Sequence, residues 1–262
     1  MKTQGKHIRD DSCRQGFDAL VPGGAAGISG LQSSRATFDV REDGPRHIIE
    51  GMKKRIAHTT SAKLRMIQAA FDLFHERGVH ATSIDSILER SGTGKSQFTH
   101  YFRNKEGLVH AVLQHFYELL RSGGLPFKQT LESWKDVEES FRFFIETQRA
   151  MGCARGCPIG TIGNDLVGSQ RRLRQDVRLI FDLTRTSLAR FFAAEQARGA
   201  IRAGIDPEAL ADFCFSIMQG GLLVAKIKRE SVPFENAVMH ALAYLQSLRT
   251  SPRQRRRSPR LA

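Results

Sequence analysis

Residues 84–102 read Ile84-Asp85-Ser86-Ile87-Leu88-Glu89-Arg90-Ser91-Gly92-Thr93-Gly94-Lys95-Ser96-Gln97-Phe98-Thr99-His100-Tyr101-Phe102. Ile84, Ile87 and Leu88 recur at three- and four-residue spacing, the inward stripe of a short amphipathic helix that stops at Ser91-Gly92. After Gly92-Thr93-Gly94 a second short helix runs from Lys95 to about Tyr101. Two short helices joined by a glycine turn make a helix-turn-helix. A slim helix with polar tips can enter a DNA major groove about 12 Å wide and hydrogen-bond to base edges. Lys95, Ser96, Gln97, Thr99 and His100 are the tips on offer, while Phe98 and Phe102 anchor the helix to its own core. Tyr101 and Lys105 flank it and suit phosphate oxygens. Taken alone, the same pattern also fits the solvated face of an ordinary three-helix bundle.

Working outward, Leu64, Ile67, Ala70, Phe71 and Phe74 line the core face of a preceding helix that Ser61 caps and Gly78 ends. Thr82 is expected to cap the helix that follows, and it is counted among the DNA-facing residues. Asn104 or Arg103 opens a long helix carrying Leu108, Ala111, Val112, Leu113, Phe116, Leu119 and Leu120, ended by Ser122-Gly123-Gly124-Leu125-Pro126. Further helices are expected near 130–152, 158–168, 170–198, 206–229 and 233–248, separated by glycine and proline breaks. No segment alternates as a half-buried strand does. The fold class is all-α.

Charge divides the chain unevenly. The net +13 lies almost wholly in residues 53–105 and in the arginine-rich tail 249–262, while residues 106–248 are nearly neutral. That asymmetry fits a nucleic-acid-binding module joined to something else. The expected organisation is a helix-turn-helix domain over 53–107, a second helical domain over 108–248 and a basic disordered tail over 249–262. Residues 1–52 read either as a disordered extension or as sequence upstream of a true start at Met52. No compact apolar leader and no run of about 20 apolar residues is visible, so a cytoplasmic protein that does not enter membranes is expected. The four cysteines are too scattered for a disulfide framework, and Cys153 and Cys157 lack a second pair at zinc spacing. Ser91-Gly92-Thr93-Gly94-Lys95-Ser96 imitates the end of a phosphate-binding loop, yet Glu89 stands where that loop needs glycine and a helix precedes it in place of a strand. No acid–base, nucleophile or metal constellation assembles, so neither an enzyme nor a cofactor is expected.

The segment 69–109 resembles the DNA-binding domain of the TetR/AcrR family. The resemblance rests on Ala70, Phe74, Gly78, Thr82-Ser83, Ile87, Gly92, Lys95, His100-Tyr101-Phe102 and Asn104-Lys105-Glu106. It implies operator contacts from Lys95, Ser96, Gln97, Thr99, His100, Tyr101 and Lys105. Thr99 departs from the pattern, which usually has an aromatic there. The resemblance further implies a homodimer through the helices near 206–229 and 233–248, with Gly220-Gly221-Leu222-Leu223, Ala237, Val238, Ala241, Leu242 and Leu245 as its surface; filling the protomer's own core is the competing reading of the same residues. It also implies a small-molecule effector in the second domain, with Trp134, Phe141, Phe144, Phe181, Phe191 and Phe192 as candidate walls, against the competing reading of each as an ordinary core residue. The function implied is a repressor released from its operator by a small molecule, an electrophile or an oxidant. A ligand-independent architectural DNA-binding protein is the alternative.

Cys157 precedes Pro158, a residue favoured at the first position of a helix, which places the thiol at a helix N-cap. The helix dipole and nearby Arg155 are expected to lower its pKa and make it reactive. Gly156-Cys157 and Ala225-Lys226 resemble the regulator group around the N-ethylmaleimide reductase repressor. That resemblance implies a sensing cysteine at Cys157 with Lys226 beside it. A buried, inert cysteine is the competing reading.

Overall fold

The computed structural model describes residues 61–166 and 170–250. The expectations for residues 1–52 and for nearly all of the basic tail lie outside them. Among the described residues there are nine helices and no strand, only a single antiparallel bridge between Ile201 and Arg249. The all-α expectation holds.

Two short helices lie between two longer ones at the start, and local chemistry sets the ends of all four. α1 (Ala62–Arg77) starts where the Ser61 hydroxyl accepts from the Leu64 N–H, and it ends at Gly78, whose φ is 85°. α2 (Ile84–Ser91) is capped by Ser83, which accepts from Ser86, and closes at Gly92 in the left-handed conformation. α3 (Lys95–Phe102) follows after three residues, and α4 (Lys105–Arg121) starts from Asn104, whose side chain accepts from Gly107. Gly92 has a physical task here: φ 61° and ψ 44° are strained for a residue with a Cβ. That turn aims α3 away from α2.

α5 (Trp134–Ala150) begins with a capping box between Ser133 and Asp136, which is why it starts later than residue 130. α6 (Pro158–Asn164) is a short helix opened by Cys157 and Pro158. α7 (Arg171–Ala197), α8 (Pro207–Lys228) and α9 (Val232–Ser247) complete the chain. α8 is long and apolar enough to span a membrane by length and composition, which the sequence reading did not anticipate. Part of that apolar surface packs into the core, and part stays exposed as Leu223, Val224 and Ile227.

Two cores hold these helices together. The first joins Met66, Phe74, Ile87, Phe98, Phe102, Leu108 and Leu113 of α1–α4 to Ile159 and Ile162 of α6 and to Leu173, Val177 and Ile180 of α7. The second gathers α5, the later part of α7, α8 and α9 around Phe192, Cys214, Leu222 and Phe234. Polar ties cross the first core. Asp176 on α7 meets His110 Nδ1 at 2.5 Å and accepts from the Gln114 amide at 2.9 Å, both on α4. Asp165, at the end of α6, accepts from the Val79 and His80 N–H groups at 2.6 and 3.2 Å.

Candidate nucleic-acid interface and internal cavity

α3 divides cleanly into an inner and an outer face. Phe98 and Phe102 are buried and lie 5.7 Å apart, ring to ring. Each buried ring contributes about 1.5–3 kcal/mol, so these two fix the helix while its other residues stay free for contact. Lys95, Ser96, Gln97, Thr99, His100 and Tyr101 are all exposed. Several are parked in local contacts. Lys95 pairs with Asp85 at 3.3 Å, Gln97 Oε1 accepts from the Gly94 N–H at 3.2 Å, and the Thr99 hydroxyl donates to the Lys95 carbonyl. His100 and Tyr101 stack edge to face at 5.0 Å. Lys105 is half-buried in the first turn of α4, and desolvation lowers its pKa against the pull of Asp165.

Thr82 is not on this face. It is fully buried, and its hydroxyl donates to the Gly78 carbonyl at 2.7 Å. Nor does it cap α2, a task that falls to Ser83. Its hydroxyl satisfies a buried backbone acceptor at the α1–α2 turn, so the side chain cannot reach DNA.

Behind this head lies a cavity of about 250 Å³. Its walls include Phe71 and His75 of α1, Phe116 and Leu120 of α4, Phe143, Phe144 and Gln148 of α5, Cys157 and Ile159 around α6, Phe181 of α7 and Phe215 of α8. An outer groove of about 710 Å³ shares Leu120, Phe127, Phe144, Thr184 and Met218 with it.

Of the expected walls, Phe144 and Phe181 line the inner cavity, and Phe141 lines the outer groove. Trp134 does neither. Its indole donates to Glu195, its ring packs on Phe191 at 5.2 Å, and Arg249 stacks over it at 5.0 Å. Phe191 and Phe192 are core residues, because inward-facing aromatics on a long helix fill space before they line a void.

Cys157 does cap α6, accepting from the Gly160 N–H at 3.3 Å. Its pKa nonetheless goes up. Burial outweighs the hydrogen bonds from Gly160 and Gln219 that favour the thiolate, since desolvating a charge costs more than a seven-residue helix returns. Arg155 does not help, because it is ion-paired with Glu76 at 2.5 Å. Cys157 also borders an outer depression of about 660 Å³ that Lys226 and Gly156 line with it. Lys226 packs beside Gly156 there and does not line the inner cavity.

Residues 66–112 match the family described as bacterial regulatory proteins, tetR family, and residues 136–241 match the tetracyclin repressor-like C-terminal domain. The chain belongs to the TetR family. It is a DNA-binding transcriptional regulator, and its relatives are regulators and not enzymes. The transcriptional regulator AcuR of Cereibacter sphaeroides is 27% identical over 175 residues, which cover 65% of this chain and 79% of that protein. The transcriptional repressor DhaR of a Mycobacterium species is 26% identical over 181 residues, covering 67% and 88%. A TetR regulatory protein from Rhodobacter sphaeroides superimposes with a TM-score of 0.60 at 25% identity, covering 70% of this chain and 98% of that one. Reduced NemR of Escherichia coli shares the fold at 18% identity, with a TM-score of 0.60 over 73% of this chain and all of the other.

TetR-family regulators bind operator DNA, dimerise and respond to small-molecule effectors. On the dimerisation side this chain corrects the residue-level expectation. Leu222, Val238, Ala241 and Leu245 are buried inside the protomer, as is Gly221 against Phe234. The large apolar residues left exposed on α8 and α9 are Leu223, Val224, Ile227, Val232 and Tyr244. Sequence reasoning also missed His75, Gln148 and Asp165. His75 and Gln148 look like ordinary helix residues until distant helices close around them. Asp165 carries no signal until its turn meets residues 79 and 80.

Proposed function

We propose that this regulator represses by binding operator DNA as a homodimer in the cytoplasm, and that a small molecule in the inner cavity releases it. The observation that carries the DNA reading is α3. Two buried phenylalanines fix it, and every other residue from Lys95 to Tyr101 faces outward. Base edges would be read by Lys95, Ser96, Gln97 and His100, with phosphates held by Tyr101 and Lys105. The Thr99 hydroxyl is engaged with its own helix, so its contact would be weaker. Leu223, Val224, Ile227 and Tyr244 would carry the dimer contact.

The release reading rests on where the cavity sits. Phe71 and His75 belong to α1, against which α2 and α3 pack, so a ligand touching them bears directly on the head. Release requires only that the occupied form favour a non-binding spacing of the two α3 helices by a few kcal/mol.

The test is selection of DNA from a random pool by the purified chain, followed by mobility shift with the selected sequence and a scrambled one. A strong preference for the selected duplex is expected. Equal affinity for both would favour an architectural protein that coats DNA without reading it. A cavity-filling Phe144→Trp variant that still responds to every compound releasing the wild type would overturn the effector reading.

A further inference from the structure

The inner cavity has walls specific enough to name its ligand's chemistry. Its surface is overwhelmingly apolar, built from Phe71, Phe116, Phe143, Phe144, Phe181 and Phe215. Within it stands Gln148, 2% exposed, whose Oε1 has no hydrogen-bond partner. A buried acceptor left unpaired costs about 1–3 kcal/mol, and natural interiors rarely keep one without reason.

Most of the other polar groups of the wall are engaged. The Thr147 and Thr184 hydroxyls donate to Phe143 and Ile180 one turn back. The Gln219 amide is bonded to the Cys157 thiol, Arg155 is neutralised by Glu76, and Asp72 has its own partner. His75 Nε2 lies 2.8 Å from the Gly156 carbonyl. A carbonyl can only accept, so Nε2 carries the proton and Nδ1 is a second acceptor. Burial lowers the pKa of this ring to about 4, so it stays neutral at ordinary pH. No spare positive charge is offered to an anion.

We propose that the cavity binds a neutral aromatic alcohol of the phenol class, its ring among the phenylalanines and its hydroxyl donating to Gln148 Oε1. The proposal rests on the reading of this cavity as the effector site. A hydrocarbon ring would fill the walls yet leave Gln148 unpaired. A carboxylate would place charge against acceptors.

The experiment is calorimetric titration of the full chain with phenol, toluene and benzoate, with operator affinity measured in parallel. Phenol should bind about tenfold more tightly than toluene, the worth of one buried hydrogen bond, and benzoate should bind weakest. Gln148→Leu removes an unsatisfied group, so it should fold. It should bring phenol down to the level of toluene while toluene binding persists. Equal binding of phenol and toluene by the wild type, tighter binding of benzoate, an unchanged preference in Gln148→Leu, or no binding of any of the three would each overturn the assignment. Phenol binding with the stated preference but no change in operator affinity would leave the ligand class standing and remove the effector reading instead.

Discussion

Gln97 on α3 and Lys105 in the first turn of α4 should report different kinds of contact. Gln97 must leave the Gly94 N–H to reach a base, so Gln97→Ala should alter preference at one operator position by about 1–3 kcal/mol. Lys105→Ala should weaken binding evenly across sequences and lower the salt slope by about one. Thr82→Val should destabilise the fold by about 1 kcal/mol through its lost hydroxyl and leave base preference alone. Binding curves for all three variants on a set of single-position operator changes check this, and a base-specific effect from Thr82→Val would contradict the burial argument. His75 makes a pH prediction. Its folded pKa of about 4 lies below the 6.5 of an exposed imidazole, so between those values the unfolded chain binds the extra proton. Stability therefore falls as pH drops through that window, by about 2 kcal/mol at pH 5. Urea unfolding at about pH 7.5 and pH 5 should show that loss in the wild type and a smaller one in His75→Gln. Cys157 should take up maleimide ahead of the buried Cys153 and of Cys214, whose pKa burial raises to about 12. It should do so through access alone, with no rate advantage over a free thiol below about pH 8, as peptide mapping at limiting reagent would reveal. Faster labelling than a free thiol would restore the activated-cysteine reading.

At the scale of the element, helix ends were legible and helix faces only partly so. Ser61, Gly78, Gly92, Asn104 and Cys157-Pro158 act on backbone groups within a few residues, so their effect can be read locally. α8 and α9 defeat the same method. Both are apolar nearly all round, and periodicity cannot say which stripe faces the protomer and which a partner. Hence the sequence leaves Val238 and Leu245 open between partner surface and core, and only the packing turns them inward. The cavity was harder still, because its walls run from Phe71 to Leu222 and only tertiary packing brings them together. The packing of α8 on α9 hinges on Gly221, where a Cβ would collide with the fully buried ring of Phe234. Gly221→Ala should splay the pair, costing about 1–3 kcal/mol and weakening the dimer with it. Ile227, 72% exposed, offers the contrast. Ile227→Lys should shift sedimentation from dimer to monomer while leaving the helical signal intact. A dimer unchanged by Ile227→Lys would place the interface elsewhere.

Across the whole molecule, Asp165 is the polar link between the turn after α1 and the end of α6. Its carboxylate receives two backbone N–H groups, and its carbonyl faces the His80 ring at 2.8 Å. Asp165→Ala should cost about 1–3 kcal/mol of stability. It should also shrink the factor by which operator and effector weaken each other's binding, a factor that is the same whichever ligand is added first. Titrating effector with and without operator measures it, and an undiminished factor would show that apolar contacts alone carry the signal. Those contacts have a practical corollary. Phe74, Leu108 and Leu113 share one interior with Ile159, Ile162, Leu173 and Ile180, and residue 107 falls inside α4. Trading DNA-reading heads between relatives by splicing there would leave mismatched halves of a single jigsaw. The shared interior extends to Ile180 in the middle of α7, so new operator specificities are better grafted onto the outward residues of α3 than carried in on a borrowed head.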